Sequence, residues 1–206
     1  MNDLAKQLAS FCVEQNITLE ELEQCIHNQD EIKPYECAIK LSRVCDIEVD
    51  DLATTHFELD DVIGFTLSDG EYVEAVVVDV NERSGKVTFV LKNCFKDTSS
   101  MNKMDDFLFV KFLLFPWSLR KIIENHSLRL LTYSEVFGDG RYQYFYDTAN
   151  RICYDTDKEA THWWLGSHSS PTYSELVYPC GGASPEGNCA GAGVRPVFTI
   201  IQNQEG

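Results

Sequence analysis

The sequence predicts an α+β protein, with a small helical domain over residues 1–55 followed by a mixed, strand-rich domain over 57–206. Three observations carry this. Residues 1–55 place apolar side chains at helical spacing. Residues 71–91 alternate in the period of a half-buried strand. Near the end, two short apolar segments, HWWLGS at 162–167 and GVRPVFTII at 193–201, bracket about 25 residues of small and polar type that read as irregular, ordered loops.

In the first region Leu4, Leu8, Phe11 and Cys12 recur one helical turn apart. Thr18-Leu-Glu-Glu21 is a capping box, with Leu19, Leu22 and Ile26 on one face of the helix that follows. Pro34 suits the first turn of a third helix, whose stripe is Cys37, Leu41, Val44 and Cys45. Residues 56–60 read as a linker. Val62, Gly64 and Phe65 open a strand, Gly70 turns it, and residues 71–80 run back. Asn81 to Gly85 is a hairpin loop, and Val87, Phe89 and Leu91 mark the return strand. Residues 96–106 read as a mobile polar stretch and 107–115 as a core run broken only by Lys111. Pro116 to Arg120 starts a helix with Ser118 as its cap, Leu128 to Leu131 is a short buried strand, and Ser134 to Phe137 is one helical turn closed by Gly138. Tyr142, Tyr144, Phe145 and Tyr146 read as an element pinned to the core, with a stacking platform as the alternative. Trp163 and Trp164 are expected on opposite faces of a strand, one in the core and one lining a site. Tyr173 to Tyr178 forms a further strand, Cys180 to Gly193 a glycine-rich loop, and Pro196 interrupts the closing strand near an edge or bulge.

Composition narrows the function. The chain carries 17 basic and 33 acidic residues, a net charge of −16. Phosphate backbones and anionic membranes are recognised by basic faces, so neither is an expected partner. No apolar run approaches the ~18 residues of a membrane helix. The start, MNDLAKQLASF, lacks the pattern of a secretion signal, so a cytoplasmic location is expected. The eight cysteines form no C-x-x-C pair. They read as small, reduced hydrophobes, and no metal or other cofactor is expected.

The pattern W-W-L-x-S at 163–167 followed by G-V-R-P-x-F at 193–198 resembles a bacterial and phage family known only as a domain of unknown function. The hairpin at 71–93, WSLRKI at 117–122 and LRLLTYSEVFG at 128–138 follow that family's order, so the resemblance spans about 57–201. Gly166 stands where the family usually has arginine. The family is distantly similar to the C-type-lectin-like fold of formylglycine-generating enzymes and of the variable proteins of diversity-generating retroelements. The resemblance implies a closing strand held in the sheet, loops that display a binding surface, and Arg195 as a structural anchor beside Trp163. Upstream, ITLEEL at 17–22 and AIKLSRVCDIEVDDL at 38–52 resemble repressor-type helix-turn-helix domains. Residues 1–60 carry four basic against fourteen acidic residues, a balance unsuited to DNA.

The reading that follows is a non-enzymatic binding protein, cytoplasmic or phage-encoded. Residues 162–193 display its recognition surface to a protein or other macromolecular ligand, and residues 1–55 serve docking or self-association. The expected ligand-binding residues are Trp164, Ser167, His168, Tyr173, Glu175, Tyr178 and Asn188, the polar-plus-tyrosine palette of adaptable recognition surfaces. The calcium signatures of true lectins, E-P-N and W-N-D, are absent, so calcium-dependent sugar binding is not expected. Two alternatives remain: a DNA-binding regulator with a C-terminal sensor, and a cysteine-dependent, oxidase-like enzyme using Cys180 and Cys189.

Overall fold

A computed structural model describes residue 52, residues 55–155 and residues 157–202. The helices expected over 1–55, with Cys12, Cys25, Cys37 and Cys45, lie outside the described residues apart from Leu52 and Thr55. The described chain is mixed and rich in strands, an α+β arrangement of two five-stranded sheets, a two-stranded ribbon and short helices.

The first sheet has the order β1-β2-β3-β12-β5, built from Val62–Thr66, Tyr72–Asn81, Lys86–Leu91, Pro196–Ile201 and Arg129–Leu130, with every neighbour antiparallel. The turn after β1 uses Gly70 at φ 86° and the hairpin after β2 uses Gly85 at φ 63°, both left-handed positions that favour glycine. Central strand β3 is buried on both faces. Val87, Phe89 and Leu91 enter one apolar core and Val90 the other. In the first core Phe198 stacks on Phe89 at 5.3 Å and meets Phe115 edge-on at 5.6 Å, and Phe57 and Phe65 close the cluster. Pro196 is the first residue of β12, an interior strand between β3 and β5. Its missing N–H is tolerated at a strand start, so the expected edge or bulge is corrected.

The polar stretch 96–106, expected to be mobile, holds β4 (Thr98–Ser99), a 3-10 turn and the start of helix α1 (Met104–Leu114). Helix α1 buries Met104, Leu108, Lys111 and Phe112. It ends because Phe115 precedes a proline and is extended, at ψ 149°. Helix α2 (Trp117–Ile122) has Pro116 at its N-cap, and Ser118 lies inside it, so the expected serine cap is corrected. Helix α3 (Tyr133–Val136) is capped by Thr132 in a full capping box with Glu135, one residue earlier than the sequence suggested. No helix among the described residues is long and apolar enough to cross a membrane.

The second sheet has the order β10-β9-β8-β11-β4, with β8 at Trp163–Ser170, β9 at Tyr173–Val177, β10 at Ala183–Gly187 and β11 at Ala192–Gly193. Residues 166–192, expected to be irregular apart from the strand at Tyr173 to Tyr178, form most of an antiparallel meander, in which β9 is that strand and the outer part of β8 and all of β10 were not expected. The two motif halves meet in this sheet. Gly193 pairs with Trp163 in the one parallel register of the described sheets and donates its N–H to the His162 carbonyl at 2.9 Å. A Cβ at position 193 would stand 2.7 Å from Cys94 Sγ and 2.9 Å from that carbonyl, so the close approach requires glycine. Cys94 is bonded to Cys153 in a disulfide that closes 59 residues, which corrects the expectation of reduced cysteines at these two positions. Cys153–Tyr154 (β6) and Ala160–Thr161 (β7) form the ribbon. In the aromatic run, Gln143–Tyr146 is a 3-10 turn with Tyr142 at its N-cap, Phe145 fully buried and Tyr146 exposed beneath the Arg141 guanidinium.

Candidate recognition surface

Two adjacent tryptophans in a strand should diverge, one inward and one toward a ligand. Both are fully buried, because the second sheet is covered on each side at this end. Trp163 enters the second core and donates Nε1–H to the Arg151 carbonyl at 2.9 Å. Trp164 enters the first core and donates to the Ser99 carbonyl at 2.8 Å. Trp164 therefore presents nothing to a ligand, and its expected site role is corrected. Arg195 is also fully buried. Its Nε donates to the Leu91 carbonyl at 2.6 Å and an Nη to the Asn150 carbonyl at 2.8 Å. Its guanidinium lies 5.2 Å from the Trp163 ring and 5.5 Å from Phe145. Burial pulls its pKa down to about 10, with Tyr144 opposing, so it is charged at neutral pH. The guanidinium joins the end of β3, the 148–151 turn and the second sheet, a task suited to a planar donor fork.

The outer half of the meander is polar. Ser174 on β9 is fully buried. Its Oγ lies 2.8 Å from His168 Nδ1 on β8 and 2.8 Å from Asn188 Oδ1, which follows β10. Asn188 then donates its backbone N–H to the Thr172 carbonyl at 2.9 Å and its side-chain amide to the Pro171 carbonyl at 3.3 Å. One hydroxyl thus ties together the β8–β9 turn and the segment after β10. His168 and Asn188 were expected at the site; Ser174, which joins them, was missed. Its only signal was its place between exposed Tyr173 and half-buried Glu175 on β9, where the pleat turns it inward.

The pleat also divides the expected residues. Tyr173 and Glu175 share one face of β9, with Val177, while Ser174 and Leu176 share the other. Tyr173 is half-exposed at the tip beside Ser169 and Thr172. Ser167 is partly buried and accepts the Tyr133 N–H at 2.7 Å, so its hydroxyl holds the first residue of α3. Tyr178 stands at the far end of β9, edge-on to His162 at 4.7 Å. The tip that remains is His168, Tyr173 and Asn188 around Ser174, with Glu175 on the outward face.

Cys180 and Cys189 are exposed thiols that β10 holds apart. Their sulfurs lie beside Gly182 and Gly187 respectively, five extended residues or about 16 Å from each other. That separation does not assemble a paired-cysteine active site. Among the described residues no group of three His, Cys, Asp or Glu side chains is placed to hold a metal ion.

A charged cluster that the sequence reading missed surrounds Lys111. This lysine, 3% exposed within the otherwise apolar run 107–115, bonds Asp97 at 2.8 Å and Glu71 at 3.1 Å. Lys96 pairs with Asp69 at 2.9 Å. Burial raises the Asp69 carboxyl, but the bond from Lys96, the Glu71 amide and the nearby Lys111 charge outweigh it and hold the pKa below the ordinary value. Every charge here has a partner, so the cluster reads as a tie between α1, the β1–β2 turn and residues 96–97.

No protein-family model matches this chain, and no curated protein matches it either.

Proposed function

We propose that the protein is a non-enzymatic binding module that recognises a protein or other macromolecular partner through the β8–β9–β10 tip, on a scaffold of C-type-lectin-like kind. In this reading residues 1–55 supply docking or self-association, and the chain works in the cytoplasm without a cofactor. One observation carries the reading: the buried Ser174 hydroxyl locks the tip between His168 and Asn188 while Tyr173, Ser169 and Thr172 stay in solvent. A surface ordered before binding loses little entropy on association, and tyrosine and serine supply contact area and adaptable hydrogen bonds. The net charge of −16 favours a partner with a basic face.

The test is affinity capture from lysate of the source cells with the full chain, its Tyr173→Ala variant and its Tyr154→Ala variant. Loss of a captured partner with Tyr173→Ala, at an unchanged melting temperature and with Tyr154→Ala still binding, is the expected result. Capture in which no partner is lost with Tyr173→Ala while Tyr154→Ala still binds it rejects the tip as the recognition surface.

A further inference from the structure

Away from the meander, a cleft of about 370 Å³ opens between the start of β2, the segment after β3 and the β6 strand. None of its lining residues lies in β8, β9 or β10, so it is independent of the tip proposed above. Its size falls within the ~300–1,000 Å³ of ligand sites. Two tyrosines line it: Tyr72 is 64% exposed and Tyr154 is 42% exposed.

The ring positions are fixed by construction. A Cβ on Gly64 would stand 2.0 Å from the Tyr72 hydroxyl and 2.8 Å from Cζ, so the missing side chain on β1 is what lets that ring lie across the strand. Tyr154 follows Cys153 directly, and Asn93 precedes Cys94 directly. The disulfide between the two cysteines therefore sets Asn93 and Tyr154 as facing walls. Asp155, the next residue, is held by the Asp157 and Glu159 amides on its Oδ1, at 2.9 and 3.0 Å. No hydrogen bond to a described residue engages the side chains of Asn93, Tyr72 or Tyr154, whereas Lys96 is already paired with Asp69.

Charge decides the class of ligand. Of the lining carboxylates, Asp69 is paired with Lys96 and Glu71 with Lys111, so Asp155 is the one with no cation among the described residues, in a chain of net charge −16. An anionic ligand such as a nucleotide is repelled, and a cationic one is drawn in. Flat aromatic faces, an unengaged amide and a fixed carboxylate match the needs of an extended polyproline-type segment. Such a segment has no internal hydrogen bonds, so its carbonyls are free, and its prolines pack on aromatic faces at little cost in entropy.

We propose that this cleft docks a proline-rich, basic peptide segment of a partner protein. The Tyr72 and Tyr154 rings take the proline faces, the Asn93 amide donates to a peptide carbonyl, and Asp155 pairs with a flanking arginine.

The experiment is a titration of the isotope-labelled full chain, followed by backbone amide NMR. The probe is a synthetic peptide of Pro-Pro-Arg repeats. Gly-Gly-Arg and Pro-Pro-Glu repeats and N-acetylglucosamine serve as comparisons. Shifts clustered at Tyr72, Asn93 and Tyr154 are expected with Pro-Pro-Arg alone. Tyr154→Ala should weaken binding about tenfold or more, while Tyr154→Phe keeps most of it, because the ring face and not the hydroxyl makes the contact. Tyr154 is partly exposed, and an unchanged melting curve shows that its variants fold. No shifts at millimolar Pro-Pro-Arg overturn the proposal. So do equal shifts with Gly-Gly-Arg, which reduce the effect to charge, and shifts with N-acetylglucosamine in place of the peptide.

Discussion

The two five-stranded sheets are held by different physics. In the first, β3 and β12 are buried on both faces and their side chains join a continuous aromatic and aliphatic packing. In the second, the inner end is equally apolar, with Trp163, Trp164, Leu165, Leu176 and Val177 all buried, but the outer end is polar. There the strands are kept in place by a few directed bonds, chiefly those of the Ser174 hydroxyl. Area-based cohesion is spread over many contacts and tolerates no exposure. Bond-based cohesion leaves the outward side chains of the same strands free to serve recognition.

The sharpest way to break the contrast is to remove one ring from the first sheet. Phe198→Ala takes away the stacked partner of Phe89 and the edge contact with Phe115, and the cost should be about 3–5 kcal/mol by urea unfolding. A loss below about 1 kcal/mol would mean that this core is far looser than its geometry implies. Next comes the link between the sheets. Arg195→Met leaves the Leu91 and Asn150 carbonyls without their guanidinium donors, at about 1–3 kcal/mol each. Arg195→Lys should be nearly as damaging, because one ammonium does not reproduce the planar fork over Trp163 and Phe145. Recovery of wild-type stability by lysine would show that charge alone is what the position needs.

The same contrast explains what could be read from the chain. The β1–β2–β3 meander was legible because residues 71–91 alternate, and Gly70 and Gly85 stand where left-handed turns need them. HWW and GVRP were legible as two halves of a motif but not as neighbours, because what joins them, the contact of Gly193 with Cys94 and the His162 carbonyl, lies in tertiary packing. Strand β10 was not legible. ASPEG has neither strand propensity nor alternation, and only pairing with β9 extends it. Trp164 was misassigned because alternation tells which face a residue takes, not whether that face is covered. Lys111 looked like an interruption of an apolar run. Its partners Glu71 and Asp97 lie 40 and 14 residues away, beyond any local pattern.

At the polar end of the second sheet a smaller effect is expected. Ser174→Ala removes the hydroxyl shared by His168 and Asn188 and should cost about 1–2 kcal/mol. The decisive readout is local: amide hydrogen exchange should quicken at 168–174 and 187–189 while β3 and β12 keep their protection. Slowed or unchanged exchange at the tip would show that the hydroxyl is not what holds it.

The smallest effect concerns the brace that ties β5 and Tyr142 to α3, and it is visible only through pH. Glu135 accepts a two-pronged bond from Arg129 at 2.7 and 2.9 Å, the Thr132 amide and hydroxyl, and the Tyr142 hydroxyl at 3.0 Å. Burial alone would raise its pKa. The Arg129 guanidinium and the Thr132 donors outweigh burial and hold it below 4.5. The Tyr142 phenol, raised to about 12 chiefly by burial and then by the Glu135 charge, stays a donor throughout the acid range. A carboxyl with a depressed folded pKa adds stability that is complete above its unfolded pKa and is lost as pH falls through the folded value. Glu135→Gln keeps the capping geometry and removes the charge. Melting curves of wild type and Glu135→Gln should therefore differ at pH 7 and converge as the pH falls below 4.5. A constant gap down to pH values well below that range would show that Glu135 acts through hydrogen-bond geometry and not through its charge.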